Sequence, residues 1–189
     1  ALTGRKTSPA PKAWWKWVIP AIVVDQTIKI FLFSTDWQAM SIEVLPPVFY
    51  IQPVHNTLGS YLWVLLDWQG ANNWLNAVLA LIVGGFLLEL WRFYLHTHRN
   101  SIWITGFFFL VASGVACNVI DNIFHGGSLD FLTIRPFYVS DLKDAMLVTG
   151  MLFMLAEYID NKLYKHSESE GDGFWLFVKQ DISRIIKRN

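Results

Sequence analysis

Charge is scarce in this 189-residue chain. Asp, Glu, Lys and Arg make up 16% of it, and 15 basic residues cancel 15 acidic ones. A neutral chain lacks the basic footprint that nucleic acid requires. Cysteine is almost absent: Cys117 stands alone, so no intrachain disulfide forms. Lying in an apolar run, it reads as a small hydrophobe. The usual cofactor and nucleophile signatures are missing too, with no HExxH, no Cys/His cluster and no GxSxG. The histidines at 55, 96, 98, 125 and 166 all avoid the middle of the long apolar segments, where a helical bundle would hold a haem. Neither a cofactor nor a metal is expected, and a helical cofactor-binding protein is disfavoured. Between residues 34 and 73 there is no lysine or arginine at all.

Apolar side chains fill the space that charge leaves. They account for 53% of the residues, including ten Trp and fourteen Phe, and the mean hydropathy is +0.35. Four segments approach the ~20 residues that cross a bilayer: 13–33, 74–91, 101–120 and 141–164. The expectation is a single integral membrane domain, an all-α protein of four transmembrane helices with tryptophans at the interfaces. A cleaved secretory signal is the competing reading of 13–33, but DQTIK lies in its second half and no small-residue cleavage site follows. Residues 1–12 are polar and basic and read as a cytoplasmic tail. In 34–73, Pro46, Pro47 and Pro53 break β-branched and aromatic runs into short extended strands, followed by YLWVLLDWQGANN as a short surface helix. Residues 173–189 carry apolar residues at helical spacing with basic residues between, which suits an amphipathic helix on the cytoplasmic face or a solvated helix packed on the protein.

Four crossings put both termini on one side, and the basic residues choose which. Arg5, Lys6, Lys12 and Lys16, Arg92 and Arg99, and the basic C-terminal tail mark the cytoplasmic side. The 34–73 region and the 121–141 loop then lie outside. Asp121 ends the third segment and Asp141 opens the fourth, so two acids sit at facing helix ends. Ionisable groups there are costly unless paired or functional. Two carboxylates brought close cannot both ionise, so one becomes a base and the other a donor, which is the chemistry of an aspartyl peptidase. The plainer alternative is a pair of interfacial acids capping helices, and Asp141 at a helix start favours it. Asn118 lies one turn before Asp121 on the same face. Asp25 and Lys29 are spaced to pair, as a structural ion pair between helices. Asn56 and Asp130 read as turn residues, and Asp144 as a helix-start acid.

The order DQTIK, an outer asparagine, NVID, SLDFL and FYVSD resembles the bacterial lipoprotein signal peptidase family, signal peptidase II, from Asp25 to the fourth segment. The resemblance implies an inner-membrane aspartyl endopeptidase that acts on lipidated prolipoprotein substrates among membrane lipids. Its catalytic pair would be Asp121 and Asp141. Asp25, Lys29, Asn56 and Asn118 would support the site or bind substrate. It also implies that 34–73 forms a small extracytoplasmic β-cradle with a short surface helix. Departures from the family pattern surround the acids: Cys117 for Gly, Asn122 for Arg, Tyr138 for Asn, Ser140 for Ala, Asp144 for an apolar residue, and Gly59 one place late. They leave a second reading open, a non-proteolytic homologue serving as an accessory subunit among membrane-complex partners.

Overall fold

The computed structural model describes residues 15–34, 41–57, 73–97, 101–136, 138–164, 177–179 and 183. Its elements follow in the order α1 (Trp15–Ser34), β1 (Ile42–Leu45), β2 (Phe49–Asn56), α2 (Asn73–Thr97), α3 (Ile102–Ile120), a π-helical turn (Asp121–His125), β3 (Ser128–Ile134), β4 (Tyr138–Ser140) and α4 (Leu142–Tyr164). The expected terminal tail, the surface helix and nearly all of 173–189 lie outside the described residues.

Helix α3 is the axis of the molecule, packing against α1, α2 and α4. Its buried residues Ile104, Phe107, Phe108, Val111, Gly114 and Cys117 recur every three or four positions and lead directly to Asp121. Trp91 of α2 stacks on Phe108, with ring centroids 4.1 Å apart. Helix α1 inverts the pattern of a water-soluble helix. Asp25, Lys29 and Leu32 form its buried stripe, while Val23, Val24, Ile30 and Phe31 are exposed. That is the pattern of a helix whose surroundings are lipid, where apolar surface is no cost and ionic groups turn inward.

Among the described residues, three helical stretches are long and apolar enough to cross a membrane: Lys16–Ser34, Asn73–Tyr94 and Ile102–His125. The fourth expected segment is a helix of 23 residues, but it carries Lys143, Asp144 and Glu157. Helix α2 runs six residues beyond the expected end at Trp91.

The sheet is antiparallel in the order β1-β2-β3-β4. Half of it comes from an unexpected place. The 121–141 stretch, read from sequence as a loop, contains β3 and β4, so the cradle is not built from 34–73 alone. Alternation in SLDFLTI is weak, because both faces of β3 are covered and its burial is nearly continuous. Pro53 is tolerated within β2 because the ladder to β3 shifts register between Ile51 and Val54, which removes the need for its missing N–H.

Candidate active site

The π-helical turn sets the first acid. Helix α3 does not stop at Ile120; the backbone widens through Asp121–His125 and closes at Gly126, whose φ is 68° and whose N–H returns to the Asp121 carbonyl. Such turns within helices collect at functional sites. Gly127 follows at φ 152°, and a Cβ there would lie 2.7 Å from the Asn56 carbonyl oxygen. Only glycine lets the chain leave the helix this close to β2. Asn73, at the start of α2, ties the turn down by donating to the Gly126 carbonyl.

The second acid is set by a cap. The backbone N–H of Asp144 donates to Asp141 Oδ1 at 3.0 Å, the standard bond of an N-terminal helix cap. The other oxygen, Oδ2, meets the Lys29 ammonium, 2.7 Å away. The capping and paired-acid readings of Asp141 therefore describe different oxygens of one carboxylate.

Between the acids sits Lys29. Its ammonium nitrogen is 2.6 Å from Asp121 Oδ2, 2.7 Å from Asp141 Oδ2 and 2.8 Å from Asp25 Oδ2. All four side chains are fully buried. Two oxygens that each lie within 2.7 Å of one nitrogen are no more than twice that distance apart. Residues separated by 20 positions in the chain thus meet in one small volume. The Asp25–Lys29 pair exists as expected, but it is not a separate structural pair, since the same ammonium group serves both site acids. Gln26 completes this side, with Nε2 donating to Asp25 Oδ2 and Asp121 Oδ1, each at 3.0 Å. Those two bonds turn its Oε1 toward His125 Nε2, 3.2 Å away, so that nitrogen carries the hydrogen.

A second cation was missed from sequence. Lys143, also buried, donates to Asp141 Oδ2 and to Ser128 Oγ, and reaches Asp121 Oδ2 at 3.4 Å and Asp130 Oδ1 at 3.6 Å. Its only signal in the sequence is a lysine two places after a candidate acid. Asp130 is not a turn residue but a buried member of β3, accepting from Ser128 and from Asn56 Nδ2. Asn56 is linked to the acids through Asp130 and Lys143. Asn118 shares the helix face of Asp121, yet its side-chain oxygen is occupied by Asn122 Nδ2 at 3.1 Å. The carboxylates of Asp130, Asp141 and Asp144 gather within 4.8 Å, a grouping that could be asked to hold a metal ion, but Lys143 already brings a cation to two of them. Tyr138 places its hydroxyl 3.4 Å from Asp144 Oδ2; burial, and then the negative charge of Asp144, push the phenol up to about 12.

The arrangement is a buried cluster of four carboxylates and two ammonium groups at the junction of three helices and a sheet. The chain as a whole has relatives among known proteins. The chain is 26% identical over 154 residues to Lipoprotein signal peptidase of Pseudomonas putida, covering 78% of this chain and 88% of that protein. It is 29% identical over 156 residues to that of an Azoarcus species, covering 78% and 84%. A bacterial membrane enzyme solved by the in meso method at 2.3 Å shares the fold, with a TM-score of 0.64 at 19% identity over 85% of this chain and 96% of that one. The sequence profile of the Signal peptidase (SPase) II family matches residues 17–160, most of the chain, and the protein belongs to that family.

Proposed function

We propose that the protein is an intramembrane aspartyl endopeptidase of the bacterial inner membrane. Its reaction is removal of the signal peptide from lipid-modified prolipoproteins, with Asp121 and Asp141 as the catalytic pair. One observation carries this reading: two fully buried carboxylates from facing helix ends share a single ammonium group. The name Lipoprotein signal peptidase, borne by the relatives, supports the substrate class. Nothing in the comparisons supports the non-proteolytic, accessory-subunit alternative.

In the reaction, a water between the acids loses a proton to the ionised carboxylate while its oxygen attacks the scissile carbonyl carbon. The protonated carboxyl donates to the carbonyl oxygen. The tetrahedral intermediate collapses as the peptide nitrogen takes a proton from the first acid and the C–N bond breaks. Two ammonium groups against four carboxylates leave room for one proton to be shared by the pair. A water entering the site displaces the Asp121–Lys143 contact most easily, since at 3.4 Å it is the longest one made to the pair. Lys29 orients both acids and Asp25 holds Lys29. Asn56 acts through Asp130, and Asn118 through Asn122 at the end of α3.

The sheet serves as the substrate cradle. Val44, Leu45, Val48, Val54, Ile134 and Val139 leave apolar surface exposed on it, suited to an acyl chain or the membrane interface. With α4 as a fourth crossing, both termini and the 92–100 linker are cytoplasmic.

The deciding experiment is prolipoprotein processing in cells depleted of their own enzyme. The unchanged protein restores cleavage, and Asp121→Asn and Asp141→Asn each abolish it. Absence of cleavage by the unchanged protein refutes the proposal.

A further inference from the structure

Two departures from the family pattern touch each other. The hydroxyl of Tyr138, on β4, donates to Asp144 Oδ2 across 3.4 Å, and Asp144 stands in the first turn of α4. The Asp144 carboxylate gathers with those of Asp130 and Asp141 within 4.8 Å. Tyr138 is therefore one carboxylate removed from the buried cluster.

Exposure rises steeply along this line. Asp121 and Asp141 are fully buried, and Asp130 and Lys143 nearly so; Asp144 is half-buried, and Tyr138 is 53% exposed. The cluster comes to the surface here, and the tyrosine ring stands at its rim.

The ring also ends a row. Leu45 pairs with Phe49, Phe49 with Ile134 and Ile134 with Tyr138, so four apolar side chains cross all four strands on one face. Asp130 lies on that face too, four residues before Ile134 on β3. Leu45, Ile134 and Tyr138 are exposed and Phe49 is half-buried. A lipidated peptide laid on this face, with its scissile carbonyl brought to the acids, passes Tyr138.

A loose surface tyrosine excludes little. This one is held at both ends, its backbone in the ladder to β3 and its hydroxyl at Asp144. The residue that bears the lipid is the same in every such substrate. Selection therefore falls on the signal peptide, whose nearest residue supplies the scissile carbonyl.

We propose that Tyr138 is a specificity-determining residue. Its ring, braced by Asp144, narrows the opening to the acids, so the substrate residue that supplies the scissile carbonyl must be small. The inference rests on the peptidase reading, but not on which acids of the cluster form the reacting pair. The plainer account, an interfacial tyrosine with an apolar body and a wet tip, predicts no effect on the choice of substrate.

The test uses the full-length protein in lipid with two diacylglyceryl-modified prolipoprotein peptides. They differ only in the residue supplying the scissile carbonyl, alanine in one and leucine in the other. The ratio of kcat/KM for the two peptides is measured in the unchanged protein, Tyr138→Ala, Tyr138→Phe and Asp144→Ala. A ratio taken within one variant cancels damage common to both peptides, so a merely structural role does not move it. The unchanged protein is expected to favour the alanine peptide by at least about tenfold. Tyr138→Ala is expected to lower that preference about tenfold. Tyr138→Phe and Asp144→Ala keep the ring but release it, and each is expected to lower the preference by a smaller and similar factor, since both remove one contact.

No preference in the unchanged protein, or the same preference in Tyr138→Ala, overturns the inference. Tyr138 is exposed on an edge strand, so Tyr138→Ala is expected to fold, which its melting temperature checks. If Asp144→Ala does not fold, the Tyr138 variants decide alone. Cleavage with an unmoved ratio sinks this inference only; no cleavage of either peptide by the unchanged protein sinks the peptidase reading with it.

Discussion

The two oxygens of Asp141 divide its work, and substitutions separate them. Asparagine keeps an oxygen for the Asp144 N–H and is as good a helix cap as aspartate. Alanine keeps nothing. Asp141→Ala should therefore be less stable than Asp141→Asn by about 1 kcal/mol in chemical unfolding, although both lack activity. Lys29→Met is a harsher change. It fits the space but leaves three buried carboxylates without their shared cation, and removing one partner of a buried ion pair costs about 3–5 kcal/mol. Loss of folded protein from the membrane, before any loss of activity can be scored, is the expected result. Tyr138 predicts a pH effect of definite sign. Its phenol ionises near its ordinary value of about 10 when unfolded but only at about 12 when folded. The neutral form is thus favoured by folding, and stability falls only as pH rises past about 10. Between pH 6 and 9 Tyr138→Phe should leave the slope of stability against pH unchanged, measured by thermal melting.

At the scale of elements, α3 and α4 approach through glycines. A Cβ on Gly106 would enter the Phe153 ring at 2.3 Å. One on Gly150 would meet Val111 at 2.9 Å, and one on Gly114 would meet Leu147 at 2.8 Å and the Lys143 carbonyl at 3.1 Å. Small residues that bring helix backbones together are the usual device of membrane bundles. Gly114 is the informative position because it touches the first turn of α4, where Lys143 stands. Gly114→Val should cost about 1–3 kcal/mol by overpacking and lower turnover as well, because α4 must slide to admit it. At the opposite end, Glu157 of α4 accepts from Tyr94 of α2 and from Ser101, which also caps α3 by accepting from the N–H groups of Trp103 and Ile104. One buried carboxylate there joins three helices. Glu157→Leu should lower the melting temperature while leaving KM for the lipidated peptide within about twofold, because the sheet and the acids lie at the other end.

Among the described residues the helices turn apolar faces outward, while Asp25, Lys29, Asp121, Asp130, Asp141, Lys143 and Glu157 are buried, a surface suited to a lipid solvent. The proposed orientation is testable with its own chemistry. The only cysteine, Cys117, is fully buried and should not react with a membrane-impermeant maleimide. Val44→Cys, at an exposed position on β1, is expected to label in intact spheroplasts, and Thr3→Cys only after the membrane is opened. Labelling of both in intact spheroplasts would show that the N-terminus and the sheet share a side, and would rule out the proposed arrangement.

Much of this was legible in the residues. The apolar lengths, the basic bias and the acids at positions 121 and 141 located the helices and the candidate pair, because lipid imposes its rules on sequence directly: apolar length sets the span, and an ion inside one has to have a use. Pro46, Pro47 and Pro53 likewise marked extended chain. What remained hidden depends on distance across the fold. No periodicity announces β3, whose two faces are both covered, and no spacing links Lys29 on α1 to two acids on other elements. Asp130 read as a turn residue and Lys143 had no assigned role until β3 was folded against the start of α4 and made them neighbours. The sequence by itself determined which segments are helices and that two acids stand at their ends. The tertiary structure decided that these acids meet, what holds them, and through which lysine the sheet reaches them, since a buried ion's partners come from whatever elements packing brings within about 4 Å of it.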